Sequence, residues 1–509
     1  MGTARATQAD KTTKPFLARE VNFTVEELLR ALLALPHARR LSLLDSGATR
    51  EGWTGGRLLI AGFDPFEIVE ARGALMHITQ RGSSSIVHAE TEAVLDLLDA
   101  RLREYRSSFR REQPHDALFS PLAGACIATF AYDYAQRIAS LRAATSTAAT
   151  PAINSRASLL AADEPDAVLA FYDTLIVHDY ARDSTRIITR GGQRALEETH
   201  ETICDAAKRL KFSGREESAV EKISHRAVSN FARGEYVQAV ERVKEHIAAG
   251  DIYQANLTQQ LTVALDGDNE RFTPERIFLR LRRDHPAAFS AFIRRGEDVC
   301  VSFSPERFLR VEVGAENRRI EAWPIKGTRP RGATTKEDTR LRRELLASAK
   351  DRAENVMIVD LLRNDLGRVC EYGSIEVTKL GALEEHPTLF HLVSKVRGTL
   401  RKEATAGDFW RAAFPCGSIT GAPKIRAMQI IDEIETRRRG LSMGATALFS
   451  FDGAMDSSVA IRTMTVRDKT ARFNVGGGIV ADSRADAEYE ESLVKARALL
   501  TALNAELSV

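Results

Sequence analysis

The chain has 509 residues, 44% of them hydrophobic and 28% charged, which is the composition of an ordinary soluble globular protein. Its 72 basic and 70 acidic residues leave a formal net charge of +2, so the charge gives no reason to expect nucleic acid or an anionic membrane as a partner. No window approaches the length of a membrane-spanning apolar run, and the five scattered cysteines favour a reducing, cytoplasmic compartment.

The N-terminal part of the chain carries few chemical signals. Residues 1–15 are polar and lack the apolar core of a signal peptide, so they predict a disordered tail. The sequence predicts that residues 16–210 form one region and that the polar stretch 211–225 is a linker. Within the region, the sequence predicts a surface loop at Ala139–Asp166, strands at Ala167–Val177 and Thr185–Thr189, and a helix near Ala195–Leu210.

Residues 226–509 show a denser pattern, in which strands and helices mix without regular β-α-β alternation. The predicted helices are Ser229–Ala249, Ala347–Leu366 and Asp486–Asn504, and the predicted strands are Tyr253–Leu261, Cys300–Phe303, Phe308–Val311, Ala445–Phe451, Val459–Val466 and Arg472–Val475. Ser229 is expected to cap the first helix and Gly250 to end it. This mixture favours an α+β fold over a doubly wound sheet.

The stretch Pro324–Gly332 combines a lysine with two arginines. Lys326 lies between apolar residues and a Gly-Thr turn, where partial desolvation favours the neutral amine, which is a nucleophile. Arg329 and Arg331 are suited to gripping carboxylates with forked hydrogen bonds. The stretch therefore indicates a nucleophile beside groups that can hold an anionic substrate.

Two predicted helices each carry a pair of acidic residues at i,i+3 spacing, Asp351 with Glu354 and Glu488 with Glu491. If the pairs were brought together, their carboxylates would make an all-oxygen site for a hard cation, with Mg²⁺ the best match. The alternative is two solvated helix faces. Spacing alone favours this alternative, because acidic i,i+3 pairs are common on protein surfaces.

Candidates for binding an anion follow in the C-terminal part. Gly476–Gly478 come after a predicted strand and either offer backbone N–H groups to an anion or form a tight turn. Arg462 lies on a predicted strand between apolar neighbours, where an inward arginine needs an acidic partner or an anionic ligand. Lys495 lies one helical turn from Glu491 and either serves the same ligand or forms a surface ion pair.

Two single residues are candidates for acid–base chemistry. Glu306 follows Ser304-Pro305 at a strand junction, where a carboxyl in a cleft can act as a general acid; a surface turn glutamate is the alternative. His391 lies in an apolar run, in which a satisfied core histidine is more common than an acid–base group. No Cys/His metal cluster, Walker loop or dinucleotide fingerprint is evident in the sequence.

These signals occur together and in one order, and residues 229–503 resemble the chorismate-utilising enzymes almost throughout. The matching stretches are Asp251–Leu257, Ser302–Phe308, Pro324–Gly332, Met357–Leu366, Gly417–Lys424 and Gly476–Ser483, with looser matches at Leu43–Ser46 and Gly62–Pro65. The resemblance implies an α+β fold of the anthranilate synthase component I type, with packed β-sheets and helices on the outside. It assigns residues 226–509 to a chorismate-binding catalytic domain and residues 16–210 to a component I-like region.

The resemblance also implies roles for single residues, with chorismate as the substrate and Mg²⁺ as the cofactor. Glu354 and Glu491 match the metal ligands of the family, and Asp351 and Glu488 match nearby or water-mediated ligands. The implied catalytic residues are Lys326, Glu306 and His391, and the implied substrate-binding residues are Gln254, Gly327, Thr328, Ser418, Thr420, Arg462, Gly476, Gly477, Gly478 and Lys495. Gln254 lies where the water-adding members carry a lysine base, which argues against water as the nucleophile.

Lys326 decides between two branches of the family. A lysine at this position resembles the members that make 4-amino-4-deoxychorismate, whereas the anthranilate-forming members typically carry alanine. In the first branch the lysine is thought to attack ring C2, Glu306 helps the C4 hydroxyl leave, ammonia attacks at C4, and the enolpyruvyl group stays on the product. The resemblance thus implies an aminodeoxychorismate synthase, a transferase acting on chorismate for para-aminobenzoate and folate synthesis. The alternatives are an anthranilate-forming enzyme and a catalytically silent tryptophan-binding protein, which the intact catalytic set disfavours.

The resemblance also implies partners. No Cys-His-Glu amidotransferase pattern occurs in the sequence, so ammonia is expected to come from glutamine through a separate amidotransferase subunit. A pocket for L-tryptophan, which is a feedback effector in the anthranilate-forming members and can be a structural ligand in the other branch, is expected at Ser46, Trp53, Ala288, Phe289 and Ser290. The sequence departs from the family pattern at Ser442, Asn355 and His285.

Overall fold

The computed structural model describes residues 17–47, 52–81, 83–88, 93–107, 124–138, 164–212, 225–265, 271–385 and 389–508. The expected tail and most of the expected loop and linker therefore lie outside the described residues. In the part of the chain that is described, none of the helices is both long and apolar enough to cross a membrane.

Thirteen of the described strands form a first sheet, in which all neighbouring strands are antiparallel except one pair. In spatial order its strands are Leu17–Val21, Ser184–Thr189, Thr174–Asp179, Leu58–Gly62, Ser42–Asp45, Phe289–Arg294, Val299–Ser304, Thr463–Arg467, Thr470–Ile479, Gln254–Ala264, His225–Ser229 and Ala505–Leu507, with Gly421–Ala422 beside Gln254–Ala264. The chain enters this sheet near its start and returns to it at its end.

Twelve described strands form a second, antiparallel sheet. In spatial order they are Ile325–Pro330, Leu389–Thr399, Arg318–Ala322, Arg307–Val313, Met455–Val459, Ala445–Ser450, Ala125–Phe130, Ala167–Tyr172, Glu67–Arg72, Leu75–Gln80 and Ser83–His88, with Glu376–Glu385 beside Leu389–Thr399. Both sheets thus take strands from each side of residues 213–224.

The two sheets pack face to face through a layer of buried apolar side chains contributed by both. Leu44 and Ala291 of the first sheet belong to the same buried cluster as Ile127 and Leu448 of the second, and all four are at most 1% exposed. Burying a leucine-sized side chain contributes roughly 1.5–3 kcal/mol relative to leaving it in water, so this layer contributes to holding the sheets together. The expected α+β architecture of packed sheets is confirmed.

Helices cover the outer faces of both sheets. Their bounds are Val25–Leu33, Ala93–Ser107, Gly192–Phe212, Arg233–Ala248, Pro274–Asp284, Thr335–Ala347, Ala349–Gly367, Ala406–Ala413, Lys424–Ile434 and Ala485–Ala502, with short 3₁₀ turns at His37–Arg39, Trp53–Gly55 and Gly417–Ile419. Ile358 and Leu362 of the Ala349–Gly367 helix pack into the core of the second sheet. Leu499 of the Ala485–Ala502 helix packs into the core of the first.

The helix expected from Ser229 begins later, at Arg233. Ser229 ends the strand His225–Ser229 instead, and its hydroxyl donates to Gln259 Oε1 at 2.7 Å. Pairing with the neighbouring strand therefore outweighs capping as the use of this serine. Gly250 adopts φ +80° just after the helix, which confirms the expected end.

The strand expected at Val459–Val466 is divided between the two sheets. Met455–Val459 belongs to the second sheet and Thr463–Arg467 to the first, and Arg462, at φ +48°, lies in the connection between them. The expectation that Arg462 lies on a strand is therefore wrong. Each half pairs with a different neighbour, and no local pattern encodes that change of partner.

Glu306 lies in a second connection of the same kind. It follows Val299–Ser304 of the first sheet and precedes Arg307–Val313 of the second. We call the connections at Glu306 and Arg462 the two crossovers. Each crossover is hydrogen bonded to a strand beside the other one. Val459 N–H donates to Glu306 O at 3.1 Å, and Phe303 N–H donates to Arg462 O at 3.0 Å. The passage of the chain between sheets thus brings these two residues side by side.

Candidate active site

Lys326 lies on the strand Ile325–Pro330 at the edge of the second sheet. Its Nζ donates to Ser418 O at 3.2 Å, and its own carbonyl accepts from Asn355 Nδ2 at 2.9 Å. The next residue, Gly327, has φ +89°, which only glycine adopts readily, and a Cβ there would lie 3.0 Å from the Asp351 side chain. The lysine is thus held by its neighbours, close to one of the expected acidic residues.

Glu306 shares this neighbourhood. The residue is 4% exposed, and its Oε1 is buried without a hydrogen-bond partner among the described residues. Burial raises the pKa of Glu306 to about 7, against smaller lowering effects from the Ser418 hydroxyl, the Lys326 charge and the Ile325 N–H. A carboxyl that keeps its proton near neutral pH can serve as a general acid, which an exposed turn glutamate cannot do there.

His391 lies opposite Thr328 in the pairing of two strands of the second sheet. The two side chains share a hydrogen bond of 2.8 Å between His391 Nδ1 and Thr328 Oγ1, and His391 is only 5% exposed. Thr328 follows Lys326 by two residues on the same strand. The histidine is therefore buried and hydrogen bonded, and it lies next to the lysine segment.

The two acidic pairs face each other across Lys350. Its Nζ lies 3.5 Å from Glu488 Oε1 and 4.0 Å from Glu354 Oε1, so it connects the Ala349–Gly367 helix with the Ala485–Ala502 helix. Burial raises the pKa of Glu354. Burial also opposes ionisation of Glu491, but the charges of Lys495, Lys350 and Lys326 outweigh it and lower the pKa of Glu491. Glu354 and Glu488 are thus largely buried on either side of one lysine, whereas the Glu491 side chain is 51% exposed.

The chemistry of this cluster suits a hard cation, because carboxylate oxygens are the ligands that Mg²⁺ prefers. Glu488 and Glu491 converge on one point of the neighbouring strand: a Cβ on Gly477 would lie 3.1 Å from Glu488 Oε2 and 3.6 Å from Glu491 Oε1. Among the described residues, however, no three His, Cys, Asp or Glu side chains are arranged to hold a metal ion, and the Lys350 ammonium bridges the two helices. The donor set fits Mg²⁺ in kind.

Gly476–Gly478 do not follow a strand but lie within one, Thr470–Ile479, where they pair with Asn256–Thr258. The strand is longer than expected and the alternative of a tight turn is wrong, because the long neighbouring strand continues the ladder through the glycines. Lys495 Nζ donates to Gly476 O at 2.8 Å and pairs with Glu491 Oε1 at 2.8 Å. The absence of side chains leaves space in front of this strand, bounded by the lysine and the carboxylates.

Gln254 lies fully buried beside the last of these glycines. A Cβ on Gly478 would lie 2.7 Å from Gln254 Nε2, and neither Nε2 nor Oε1 of Gln254 has a hydrogen-bond partner among the described residues. The Thr420 hydroxyl, by contrast, donates to Cys416 O at 2.9 Å. Ser418 lies near Glu306 and Lys326, as described above. Gln254 therefore offers an unused donor and acceptor, while Thr420 is tied to the backbone.

Arg462 is the partly buried cation of the crossover between Val459 and Thr463. It forms no ion pair and no side-chain hydrogen bond with any residue in the described part of the chain, and burial lowers its pKa. A guanidinium removed from water without a counter-charge is costly unless a ligand supplies one. This arrangement suits an anionic ligand in front of the crossovers.

The residues expected to form a tryptophan pocket do gather, but the side chain of Trp53 lies at their centre. Trp53 is 0% exposed, and its ring lies edge-on to Phe289 at 5.4 Å. Its backbone N–H donates to Ser46 Oγ and its indole N–H to Ser290 O, both at 3.0 Å. A Cβ on Gly52 would lie 2.5 Å from Ala288 O.

Sequence reasoning missed two residues of the site. Lys350 is i,i+4 to Glu354, so helical spacing could have found it. Asn355 was noted only as a departure, yet its amide donates to the carbonyls of Lys326 and Asp351, each at 2.9 Å, and accepts from Ser394 Oγ. No local signal predicts that role.

The other two departures lie away from these contacts. Ser442 Oγ accepts from Asn474 N–H at 2.9 Å and donates to Thr463 O at 3.2 Å. His285 follows the end of the Pro274–Asp284 helix, where its N–H donates to Leu281 O. Neither residue touches Glu306 or Lys326 through a side-chain hydrogen bond among the described residues.

Comparison with known proteins gives one family profile, two relatives and one solved structure. The sequence profile described as chorismate binding enzyme matches residues 69–501. The chain is 36% identical over 443 residues to aminodeoxychorismate synthase component 1 of Escherichia coli (strain K12), covering 87% of this chain and 90% of that protein. It is 39% identical over 346 residues to anthranilate synthase component 1 of Aquifex aeolicus (strain VF5), covering 66% of this chain and 68% of that protein. Its structure matches anthranilate synthase component I from Streptococcus pneumoniae TIGR4 with a TM-score of 0.69 and 27% identity, covering 87% of this chain and 92% of that one.

Proposed function

The chain belongs to the chorismate-binding enzymes, and we propose that within this family it makes 4-amino-4-deoxychorismate from chorismate and ammonia. The observation that carries the proposal is the meeting of Lys326 with Glu306 at Ser418. A nucleophilic amine and a carboxyl protonated near neutral pH are the two groups that this reaction needs. The similarity to an aminodeoxychorismate synthase component 1 over most of both chains supports the same branch.

The reaction can be written with these residues. The neutral amine of Lys326 attacks ring C2, the double bonds shift, and the C4 hydroxyl leaves as water with the proton of Glu306. Ammonia then attacks at C4, the bonds shift back, and the lysine amine leaves from C2. The balance is chorismate plus ammonia to aminodeoxychorismate plus water, so the enzyme is a transferase that places an amino group on chorismate.

Arg462 and Lys495 supply positive charge for the substrate carboxylates. Gly477 has no side chain and so leaves space for these carboxylates. Glu354 and Glu491 would hold Mg²⁺, with Asp351 and Glu488 nearby. When bound, the ion would neutralise the ring carboxylate of chorismate. The kind and convergence of the donor oxygens support this assignment.

The ammonia source and the compartment are also part of the proposal. We propose that a separate glutamine amidotransferase subunit supplies ammonia, since relatives named component 1 imply a further component. All five cysteines are free, which suits a reducing cytoplasm. We further propose residues 226–509 as the catalytic region and residues 16–210 as the region that contributes the tryptophan cluster.

Tryptophan binding stays a prediction of the family resemblance. Because the Trp53 indole occupies the centre of the cluster, a free tryptophan would have to bind beside that indole. A rise in Tm with L-tryptophan, but not with L-phenylalanine, would support the prediction by mass action. Unchanged Tm with both amino acids would contradict it.

The second candidate is anthranilate formation, which the similarity to anthranilate synthase component 1 favours. Product analysis separates the two. Purified protein with chorismate, Mg²⁺ and an ammonium salt is expected to give aminodeoxychorismate and no pyruvate, as measured by mass spectrometry and a coupled pyruvate assay. Anthranilate and pyruvate in equal amounts would replace our proposal with the second candidate.

A further inference from the structure

A turn from the N-terminal region packs against the crossover that carries the candidate general acid. This Trp53 turn comprises residues Gly52–Gly56. The Trp53 indole is fully buried, donates to Ser290 O at 3.0 Å and packs edge-on against Phe289 at 5.4 Å. Phe289 pairs with Ser304, the last strand residue before the crossover.

The same turn is tied to the strand that follows Glu306. Arg307 Nη2 donates to Gly52 O at 2.7 Å, and Thr54 N–H donates to Asp456 Oδ2 at 2.7 Å. Arg307 and Asp456 are each 1% exposed and form an ion pair at 3.0 Å, so these contacts are shielded from water. The turn therefore holds the crossover from both sides.

The backbone of the turn is strained. Thr54 has φ +60°, a left-handed conformation that β-branched residues rarely adopt. Its N–H is fixed by Asp456, and its carbonyl accepts from Arg310 Nη2 at 3.2 Å. Such a conformation persists only where the surroundings determine it, and strained residues of this kind cluster at functional sites. The surroundings here are two neighbouring strands, Arg307–Val313 with Arg310 and Met455–Val459 with Asp456.

We propose that Trp53 is a positioning residue, whose turn fixes the Glu306 crossover and so sets where the Glu306 carboxyl lies relative to Lys326. Glu306 is part of a short connection between sheets and not of a ladder, so the position of its backbone depends on the packed groups on either side. The inference rests on the proposed role of Glu306. It assigns to the N-terminal region a part in the chemistry.

The test is the variant Trp53→Ala, with Phe171→Ala as the matched control. Phe171 is an equally buried aromatic residue of the second sheet, packed on Phe66 and on Tyr105 of the Ala93–Ser107 helix. We expect Trp53→Ala to lower kcat for chorismate consumption at least about tenfold with little change in KM, because a misplacement near 1 Å is costly. The pH at which Trp53→Ala loses activity should also differ from that of the wild type. Millimolar indole should restore kcat and raise the Tm of this variant, and should do neither for the wild type or for Phe171→Ala.

Trp53→Phe is a milder variant for the case in which the alanine variant does not fold. It keeps a ring against Phe289 and removes the N–H that donates to Ser290 O, so we expect a folded protein with a smaller loss of kcat and the same direction of pH shift. If Trp53→Ala and Phe171→Ala lose the same share of kcat and both keep the wild-type pH profile, Trp53 is merely structural and the proposal is wrong. Wild-type kcat and pH profile in Trp53→Phe would also count against it. These readouts follow chorismate consumption and Tm whichever product forms, so product analysis of the wild type tests the proposed function separately.

Discussion

At the scale of single residues, the proposed reaction uses two groups whose ordinary protonation states are unsuited to it. A lysine must lose its proton to act as a nucleophile, and a carboxyl must keep its proton to act as an acid. Burial raises the pKa of Glu306, while Lys326 is half-buried with its Nζ hydrogen bonded to a backbone carbonyl. Sequence alone predicted the residue types and, through the family resemblance, their roles. It could not show that Ser418 brings them together, because that contact joins segments 92 residues apart.

Replacing Lys326 tests the nucleophile. We expect Lys326→Ala to lower aminodeoxychorismate formation at least about a hundredfold. Slow direct attack of ammonia at C2 would leave an anthranilate-type intermediate, detectable by mass spectrometry. Lys379→Ala is the control, because Lys379 is an exposed lysine of the same sheet paired with Glu384. An undiminished rate of aminodeoxychorismate formation in Lys326→Ala would exclude the covalent route.

The raised pKa of Glu306 gives a pH dependence of activity. The acid works only when protonated, so kcat at a fixed NH₃ concentration should fall as the pH rises through about 7. Glu306→Gln should lower kcat roughly 10²–10⁴-fold, the usual contribution of a general acid. Glu312→Gln, on the strand that follows Glu306 but partly exposed, is the control. A loss of activity centred near pH 4.5, the ordinary value of a glutamate, would contradict the assignment.

The same group affects stability. A carboxyl whose folded pKa is raised stabilises the fold below its unfolded value of 4.5, and this contribution is lost as the pH rises through about 7. The shift corresponds to roughly 3 kcal/mol for a fully buried group. Glu306→Gln removes it, so the Tm of the variant relative to the wild type should increase between pH 5 and pH 8. A Tm difference independent of pH would show that Glu306 is not protonated in the folded protein.

At the scale of elements, the local pattern predicted most helices and strands, including the Ala349–Gly367 helix to within two residues of its start. It failed where a strand changes partners. Residues on both sides of Arg462 favour strands, and only pairing with distant segments divides the run between two sheets. Gly476–Gly478 were assigned outside a strand for a related reason, because glycine has a low strand propensity that the neighbouring ladder overrides.

Variants of the acidic residues on the Ala349–Gly367 and Ala485–Ala502 helices test the proposed Mg²⁺ site. EDTA should abolish turnover, and Glu354→Gln or Glu491→Gln should do so with the fold retained, because each removes an oxygen ligand. Glu490→Gln is the matched control, since Glu490 neighbours Glu491 on the same helix and is similarly exposed, but pairs with Arg233 and not with Lys495. Turnover is measured with and without added Mg²⁺. Full activity of the wild type in metal-free buffer would rule out the metal.

A variant of Gly477, on the strand Thr470–Ile479, tests whether chorismate binds in front of that strand. A Cβ on Gly477 would lie 3.1 Å from Glu488 Oε2 and 3.5 Å from Lys495 Nζ, both ends of flexible side chains, so Gly477→Ala should change the Tm little. It should raise KM for chorismate about tenfold or more, since a methyl group enters the space in front of the strand. Gly234→Ala is the control, because a Cβ there meets nothing within 4 Å. Equal KM values in the two variants would mean that the substrate does not reach Gly477.

At the scale of the whole molecule, the site is assembled at the place where both sheets exchange strands. Glu306 and Arg462 lie on the crossovers, Lys326 lies at one edge of the second sheet, and Gly477 lies in the first. The family resemblance predicted that these segments converge, whereas composition and periodicity could not, because the contacts join distant parts of the chain. The arrangement brings segments that are far apart in the sequence into one region of the fold.

The chain as a whole should use ammonia directly. We expect purified protein to make aminodeoxychorismate from ammonium salts, with a rate that rises with ammonium concentration. Glutamine should support the reaction only after an amidotransferase subunit is added. Glutamine use by the single purified chain would contradict the proposed division of labour.

The sharing of both sheets limits how the sequence can be recombined. Ser42–Asp45 pairs with Phe289–Arg294, and Ala125–Phe130 pairs with Ala445–Ser450. A chimaera joined to a relative within residues 211–225 would take the two members of each strand pair from different parents. Its halves would then have to match each other along both ladders, since a mismatched strand leaves backbone groups unpaired at an open sheet edge. A tolerated exchange between relatives must therefore carry both members of a pair, so segments exchange in spatially matched sets and not as contiguous halves.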